Sequence, residues 1–177
     1  MTAEGGLLRE NLTLLNQLSQ ILRGIEDHLY VKAEDALTSS AAKHVRHLLN
    51  HYDALIKINS GVVDYETRER GTEIERDRHI ALAACERVMA TLEGWLNDLP
   101  VAKELRVERL IRFSDGHIGS ASYASSLARE LDFVHQHTVH HFALIAVILR
   151  REGMTVPAEF GMSPSTLRFQ AANADAV

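Results

Sequence analysis

Proline is scarce in this 177-residue chain, and that scarcity constrains the fold more than any other feature of the sequence. The only prolines are Pro100, Pro157 and Pro164, so long stretches contain no residue that would break a helix. Within those stretches apolar residues recur at spacings of three and four, the period of an amphipathic helix. The sequence therefore predicts an all-α protein.

Three of the four predicted helices lie in the first hundred residues. They cover about residues 6–32, about residues 40–65, and the stretch from a turn near Gly71 toward Pro100. Thr72 and Glu75 have the spacing of a capping box at the start of the third helix. The N-cap candidates for the second helix are the hydroxyl side chains of Thr38, Ser39 and Ser40.

The rest of the chain supplies a crossover, a fourth helix and a tail. Residues 100–122 break the helical pattern, and their Asp115-Gly116 pair is typical of a hairpin turn. The fourth helix covers about residues 123–152. We therefore predict a single domain over 1–177: a four-helix bundle with a long crossover, carrying a short β-hairpin, between helices three and four. The tail 154–177 is expected to be irregular.

Charge and cysteine content exclude several classes of protein. A net charge of −5 and a pI near 6.0 give no basic surface for nucleic acid or for an anionic membrane. One cysteine, Cys85, cannot form an internal disulfide and fits a reducing compartment. The first residues do not resemble a signal peptide, and no apolar run is long enough to cross a membrane. We expect a cytoplasmic protein that contacts neither nucleic acid nor membrane.

Seven of the ten histidines fall in two short runs. The first run lies on predicted helix two and the second on predicted helix four, where spacings of three and four put rings on a shared face. Three imidazoles can hold zinc, nickel or iron and leave coordination positions open. The sequence therefore predicts a metal site between two helices. The two runs are His44, His47, His51 and His135, His137, His140, His141.

The helical projection orients the second run more clearly than the first. His137 and His141 are four residues apart and should point into the bundle, whereas His135 and His140 should point away from it. On helix two the projection slightly favours His51 over His47 as the metal ligand, and both remain open at this point. The remaining histidines of helix two could orient a ligand or hold bound water.

Two segments of the chain resemble the DinB-like family of bacterial four-helix-bundle metalloproteins. They are HLLNHYDAL on helix two and HTVHHFALIAVILRREG on helix four, the second of which has a His-x-x-x-His pair, an apolar run and a basic-basic-x-Gly ending. The resemblance implies that His47, His137 and His141 hold the metal. The segment Phe142-Ala143-Leu144 departs from the Arg-Gly-Gln common after the last ligand, which indicates a subfamily.

The resemblance also implies a range of functions. Related enzymes include bacillithiol transferases and mycothiol-dependent maleylpyruvate isomerases, in which a divalent metal acts with a low-molecular-weight thiol. We therefore expect a metal-dependent enzyme, a thiol S-transferase or a hydrolase, acting on a small-molecule substrate. The alternative is a non-catalytic or stress-associated bundle with a structural metal or none. Bundles of this kind often form homodimers. The sequence identifies neither the substrate nor the catalytic residues.

Overall fold

The computed structural model describes residues 2–33, 39–58, 61–67, 69–100 and 105–174. Its helices are α1 (Ala3–Gly24), α2 (Asp27–Val31), α3 (Ala41–Ile56), α4 (Arg78–Asn97), α5 (Leu127–Arg151) and α6 (Pro164–Ala174). Its strands are β1 (Val62–Asp64), β2 (Leu105–Arg112) and β3 (Ile118–Ser125). The protein is mostly helical, as predicted, and its one small sheet has three strands where a two-stranded hairpin was predicted.

Four long helices form the helical part. Helix α1 packs against α4 and α5, and α3 packs against the same two helices. Their apolar stripes meet in one core, to which each helix contributes fully buried leucine, valine or isoleucine side chains. No helix in the described part of the chain is long and apolar enough to cross a membrane. The packing places α3 and α5, which carry the two histidine runs, side by side.

The sheet lies at the crossover and has the order β1-β2-β3. Strands β2 and β3 pair antiparallel and turn at Gly116, whose φ of 87° suits glycine, so the predicted hairpin is confirmed. Strand β1 pairs parallel to β2 and was not predicted. The sequence analysis placed Val62 and Val63 at the end of helix two. Because an apolar β-branched pair fits either structure, pairing with β2 decides the outcome.

Helix boundaries differ from the prediction for local reasons. The first predicted helix is interrupted at Ile25, whose backbone is extended, before the short helix α2. The capping box at Thr72 does not form, and α4 begins instead after Asp77, whose carboxylate accepts a hydrogen bond from the backbone N–H of His79. Ser40 caps α3, as its type allows, while Thr38 lies outside the described residues.

The tail is partly ordered rather than irregular. Residues 164–174 form α6, which the sequence analysis did not predict. Phe160 packs on the core, where its ring stacks on that of Phe142 at a centroid distance of 4.2 Å. Phe169 stays 70% exposed. One of the two tail phenylalanines therefore attaches the segment after Gly153 to α5.

A buried polar network links α1, α3 and α5. The hydroxyl of Tyr52 donates to Oδ1 of Asn11 at 2.8 Å, and Nδ2 of Asn11 donates to the carbonyl oxygen of Leu131 at 3.1 Å. Thr138 lies 3.3 Å from the Tyr52 hydroxyl and donates to the carbonyl oxygen of Val134. Burial raises the pKa of Tyr52, so its hydroxyl remains a donor at any ordinary pH.

Replacing Tyr52 by phenylalanine is expected to lower the free energy of unfolding by about 1–2 kcal/mol, because Oδ1 of the buried Asn11 loses its donor. Urea denaturation monitored by circular dichroism measures this change. The matched control is Tyr123→Phe, since Tyr123 is exposed on β3, and it should change the unfolding free energy by less than about 0.5 kcal/mol. Equal effects of the two substitutions would contradict the role given to the network.

Candidate metal centre

Histidines from α3 and α5 meet between the two packed helices. His47 lies in the middle of α3, and His137 and His141 lie one turn apart on α5. Each of the three residues offers one ring nitrogen to a group in which those atoms lie within 4.8 Å of one another. Rings that are ninety residues apart in the chain therefore converge on one small volume, as the sequence analysis predicted. That they bind a metal stays a prediction.

The nitrogen separations fit a shared cation. Nε2 of His47 and Nε2 of His137 are 3.0 Å apart. Two nitrogens bound to one zinc ion at about 2.0–2.1 Å in tetrahedral geometry lie about 3.3–3.4 Å apart, so only a small adjustment is needed. The group contains imidazoles alone, a donor set suited to zinc, nickel or iron. No carboxylate of the described residues belongs to it.

His141 is the most buried of the three and has a neutral ring. Its pKa is lowered to about 2, first by burial and then by the charges that neighbouring histidines, His137 foremost, would carry. A metal ligand must be unprotonated at the binding nitrogen, and His141 meets that condition at neutral pH. Nδ1 of His141 lies 2.9 Å from Nδ1 of His44, which leaves Nε2 to bind an ion.

His44 therefore occupies the position of an orienting group. A metal-bound histidine usually donates its second ring N–H to a fixed acceptor, and that contact sets both tautomer and ring orientation. The sequence analysis allowed such a role for helix-two histidines without choosing among them. Only coordinates can choose His44, because the helical projection places it and His51 similarly near the central stripe.

His51 lies next to the group, and a backbone contact fixes the orientation of its ring. Its Nδ1 donates to the carbonyl oxygen of His47 at 2.9 Å, and its ring stacks on Tyr65 at a centroid distance of 5.2 Å. The ring centroid still lies only 4.1 Å from that of His137. The close group of ring nitrogens includes His47 and not His51, and which of the two binds a metal stays a prediction.

A comparison with solved structures identifies the fold. The solved structure of a DinB-like protein from Bacillus subtilis superposes with a TM-score of 0.57 over 88% of this chain and 98% of that chain, at 18% sequence identity. The chain has the DinB-like fold. No family model matches the sequence.

A curated relative matches only in part. FK506-binding protein 5 of Rhizopus delemar is 33% identical over 107 residues, which make up 60% of this chain and 27% of that protein. The chain thus spans about a quarter of the relative's length. The match shows sequence similarity over a segment, while the fold is given by the Bacillus protein.

His135 and His140, the two histidines of α5 outside the close group, have different surroundings. His140 is exposed, as expected, but His135 is only 3% exposed, so the prediction that it points away from the interior is wrong. Helix α1 covers that side of α5 and places Oε2 of Glu10 4.0 Å from Nε2 of His135. The projection considered the face toward α3 and missed the face toward α1, because α5 is buried on both.

Glu130 and Cys85 remain outside the candidate centre. The fully buried Glu130 carboxylate accepts hydrogen bonds from Tyr65 at 2.8 Å, from Ser125, and from Nη1 of Arg129 at 2.8 Å. The Cys85 thiol is buried against α1, and burial raises its pKa to about 12. That thiol is protonated at neutral pH and is a core side chain.

Proposed function

We propose that this chain is a four-helix-bundle protein that binds a divalent transition metal through His47, His137 and His141. The convergence of three imidazole nitrogens within 4.8 Å carries the proposal. Zinc, nickel and iron all suit an imidazole donor set. His44 would fix the orientation of His141 through the contact between their Nδ1 atoms.

We further propose that the centre is catalytic and acts on a small molecule. A metal held by three protein ligands keeps a coordination position for a thiol or a water, which it would deprotonate near neutral pH. The chain's own part is to keep the ring of His141 neutral and to limit water at His137, on whose ring Phe133 stacks. Thiol S-transfer with a low-molecular-weight thiol, or hydrolysis, are the reactions that such a centre supports.

A second candidate is a non-catalytic bundle with a structural metal. The closeness of the His51 ring to His137, at 4.1 Å between centroids, favours it, because a fourth donor would close the site to substrate. A closed site stabilises the fold and performs no turnover. We place the protein in the cytoplasm as part of the same proposal, without nucleic acid or membrane partners, and propose a homodimer as its assembly.

One set of assays separates these candidates. The Zn²⁺-loaded chain is mixed with cysteine and the electrophile monochlorobimane, and separately with p-nitrophenyl acetate, in each case beside a chelator-treated sample. A catalytic centre should give a rate at least tenfold above the chelated sample in one assay. A structural metal should raise the melting temperature without turnover, since a ligand at 100 times its Kd stabilises by about 2.7 kcal/mol. A melting temperature that changes neither with added metal nor with chelator would contradict both candidates.

A further inference from the structure

The hairpin of β2 and β3 extends past the buried core. In β2 only Leu105 and Val107 are buried, and both lie at the end where the strand begins. No residue of β3 is buried. Exposed apolar side chains that cluster on one element are typical of a surface that contacts another protein chain. Five of the exposed large apolar side chains lie on this hairpin: Leu110, Ile111, Phe113, Ile118 and Tyr123.

Strand β3 has a free outer edge. The sheet order places β2 on one side of β3 and no strand of the described residues on the other. The backbone N–H of Phe113 donates to the carbonyl oxygen of His117, so the odd-numbered residues of the hairpin are the ones that bond across it. Arg106 reaches the carbonyl oxygen of Ser122 at 3.3 Å, and that oxygen can accept a second bond. The residues whose backbone N–H and C=O groups point outward are Ile118, Ser120, Ser122 and Ala124.

This edge carries none of the features that keep exposed edges from pairing. Natural proteins protect edge strands with charged side chains, proline, bulges or a very short strand. Strand β3 has eight residues and pairs with β2 without a bulge. Residues 118–128 contain no acidic, basic or proline residue, although 24% of the whole chain is charged. Two copies of a chain with a net charge of −5 can therefore approach along this edge with little repulsion.

The edge is complementary to a second copy of itself. Two β3 strands paired antiparallel about a twofold axis at Ala121 would place Ser120 of one copy opposite Ser122 of the other. Ile118 would then lie opposite Ala124 of the second copy. All of these residues are even-numbered, so every outward backbone group finds a partner, in about eight hydrogen bonds.

The same register brings aromatic rings of the two copies together. Tyr123 would lie opposite Gly119 of the second copy, where no side chain fills the space. The ring of Phe113 already lies over Gly119 within its own chain, since a Cβ on Gly119 would come within 2.9 Å of that ring. Tyr123 of each copy would therefore pack against Phe113 of the other, and cross-strand aromatic contacts of this kind stabilise paired strands.

We propose that the outer edge of β3 is the interface of a homodimer, in which the two three-stranded sheets join into one sheet of six strands. The assignment rests on the homodimer proposed above and gives it a surface. It does not involve the metal centre. Because edge pairing buries less area than a standard interface, we expect a reversible dimer.

Sedimentation velocity of the full chain over a range of concentrations tests the interface. Ser122→Pro should weaken dimerisation at least tenfold, because proline removes an outward N–H from the centre of the pairing and leaves the bonds to β2 intact. Ser122→Ala is the matched control, since it keeps the N–H, and it should dimerise like the wild type. Both variants lose the hydrogen bond from Arg106 to the Ser122 hydroxyl, so that loss does not separate them.

Single cysteines on β3 test the register without proline. In the proposed pairing Ala121 faces Ala121 of the second copy at a non-hydrogen-bonded position, where the Cα atoms lie about 4.5 Å apart, within the range of a disulfide. Ala121→Cys should therefore form a covalent dimer on oxidation with diamide. Ser122→Cys, whose Cα atoms would lie more than about 7 Å apart, should form it at least tenfold more slowly. The native Cys85 is buried and does not compete.

Three results would overturn the interface: a chain that stays monomeric at every concentration, a dimer that survives Ser122→Pro, or Ser122→Cys cross-linking as fast as Ala121→Cys. A monomeric wild type would overturn the proposed homodimer as well, whereas a dimer that survives Ser122→Pro would overturn only its placement at β3. Circular dichroism checks that the helices persist in each variant. Zinc content measured on the same samples should be equal in all of them, so its absence throughout would overturn the metal centre alone.

Discussion

Replacing His137 by alanine is expected to leave a folded chain that no longer retains a stoichiometric divalent metal. The substitution removes one of three imidazoles and leaves two donors, fewer than any stable zinc site uses. Mutation of a residue that only orients a ligand typically weakens metal affinity 10–100-fold, so loss of a ligand should exceed about 100-fold. His137 is only partly buried, and the helix keeps its stripe of apolar residues. Metal analysis by inductively coupled plasma mass spectrometry after gel filtration measures the effect.

The matched control is His140→Ala. His140 lies three residues away on the same helix, and its side chain is exposed. This variant should keep the wild-type metal content. If both variants lose metal alike, or if His137→Ala keeps close to one equivalent, the three-histidine centre is wrong.

Replacing Gly161 by alanine is expected to lower the free energy of unfolding by about 2–3 kcal/mol. Gly161 has a φ of +82°, which costs an L-residue about 1–2 kcal/mol. A Cβ there would also lie 2.5 Å from the backbone nitrogen of Ala143, so either the backbone of α5 or the tail must shift. Detaching the tail would forfeit the burial of Phe160 against Phe142, worth about 1.5–3 kcal/mol, and this limits the total.

Gly153→Ala separates the steric effect from the conformational one. Gly153 has a φ of +79°, similar to that of Gly161, but nothing lies within 4 Å of the added Cβ. Gly153→Ala should therefore lower the free energy of unfolding only by the conformational strain of a positive φ, about 1–2 kcal/mol. Urea denaturation of both variants measures the difference. A Gly161→Ala variant no less stable than Gly153→Ala would contradict the close packing of the tail on α5.

Much of the helical architecture could be predicted because it follows from local signals. The spacing of apolar residues identified the four long helices, and the Asp115-Gly116 pair identified the hairpin. Strand β1 and helix α6 were not predicted. The pair Val62-Val63 becomes a strand only by pairing with residues far along the chain, and α6 has no amphipathic stripe that would mark it.

In the candidate site, too, contacts within one helix could be predicted from the sequence, and contacts between helices could not. A spacing of four residues on one helix was enough to bring His137 and His141 together, because helical geometry determines the neighbours. The preference among His44, His47 and His51 depends on how α3 is rotated against α5, and helical spacing alone does not determine that rotation. The orientation of His135 was wrongly predicted because its burial depends on α1, which covers that side of α5.

X-ray diffraction data recorded above and below the absorption edge of the bound metal would locate the ion and its ligands in the protein. We expect one anomalous peak between α3 and α5, at about 2.0–2.1 Å from a ring nitrogen of each of His47, His137 and His141 if the metal is zinc. A peak elsewhere in the chain, a peak that His47 does not reach, or no peak after loading with Zn²⁺ would contradict it.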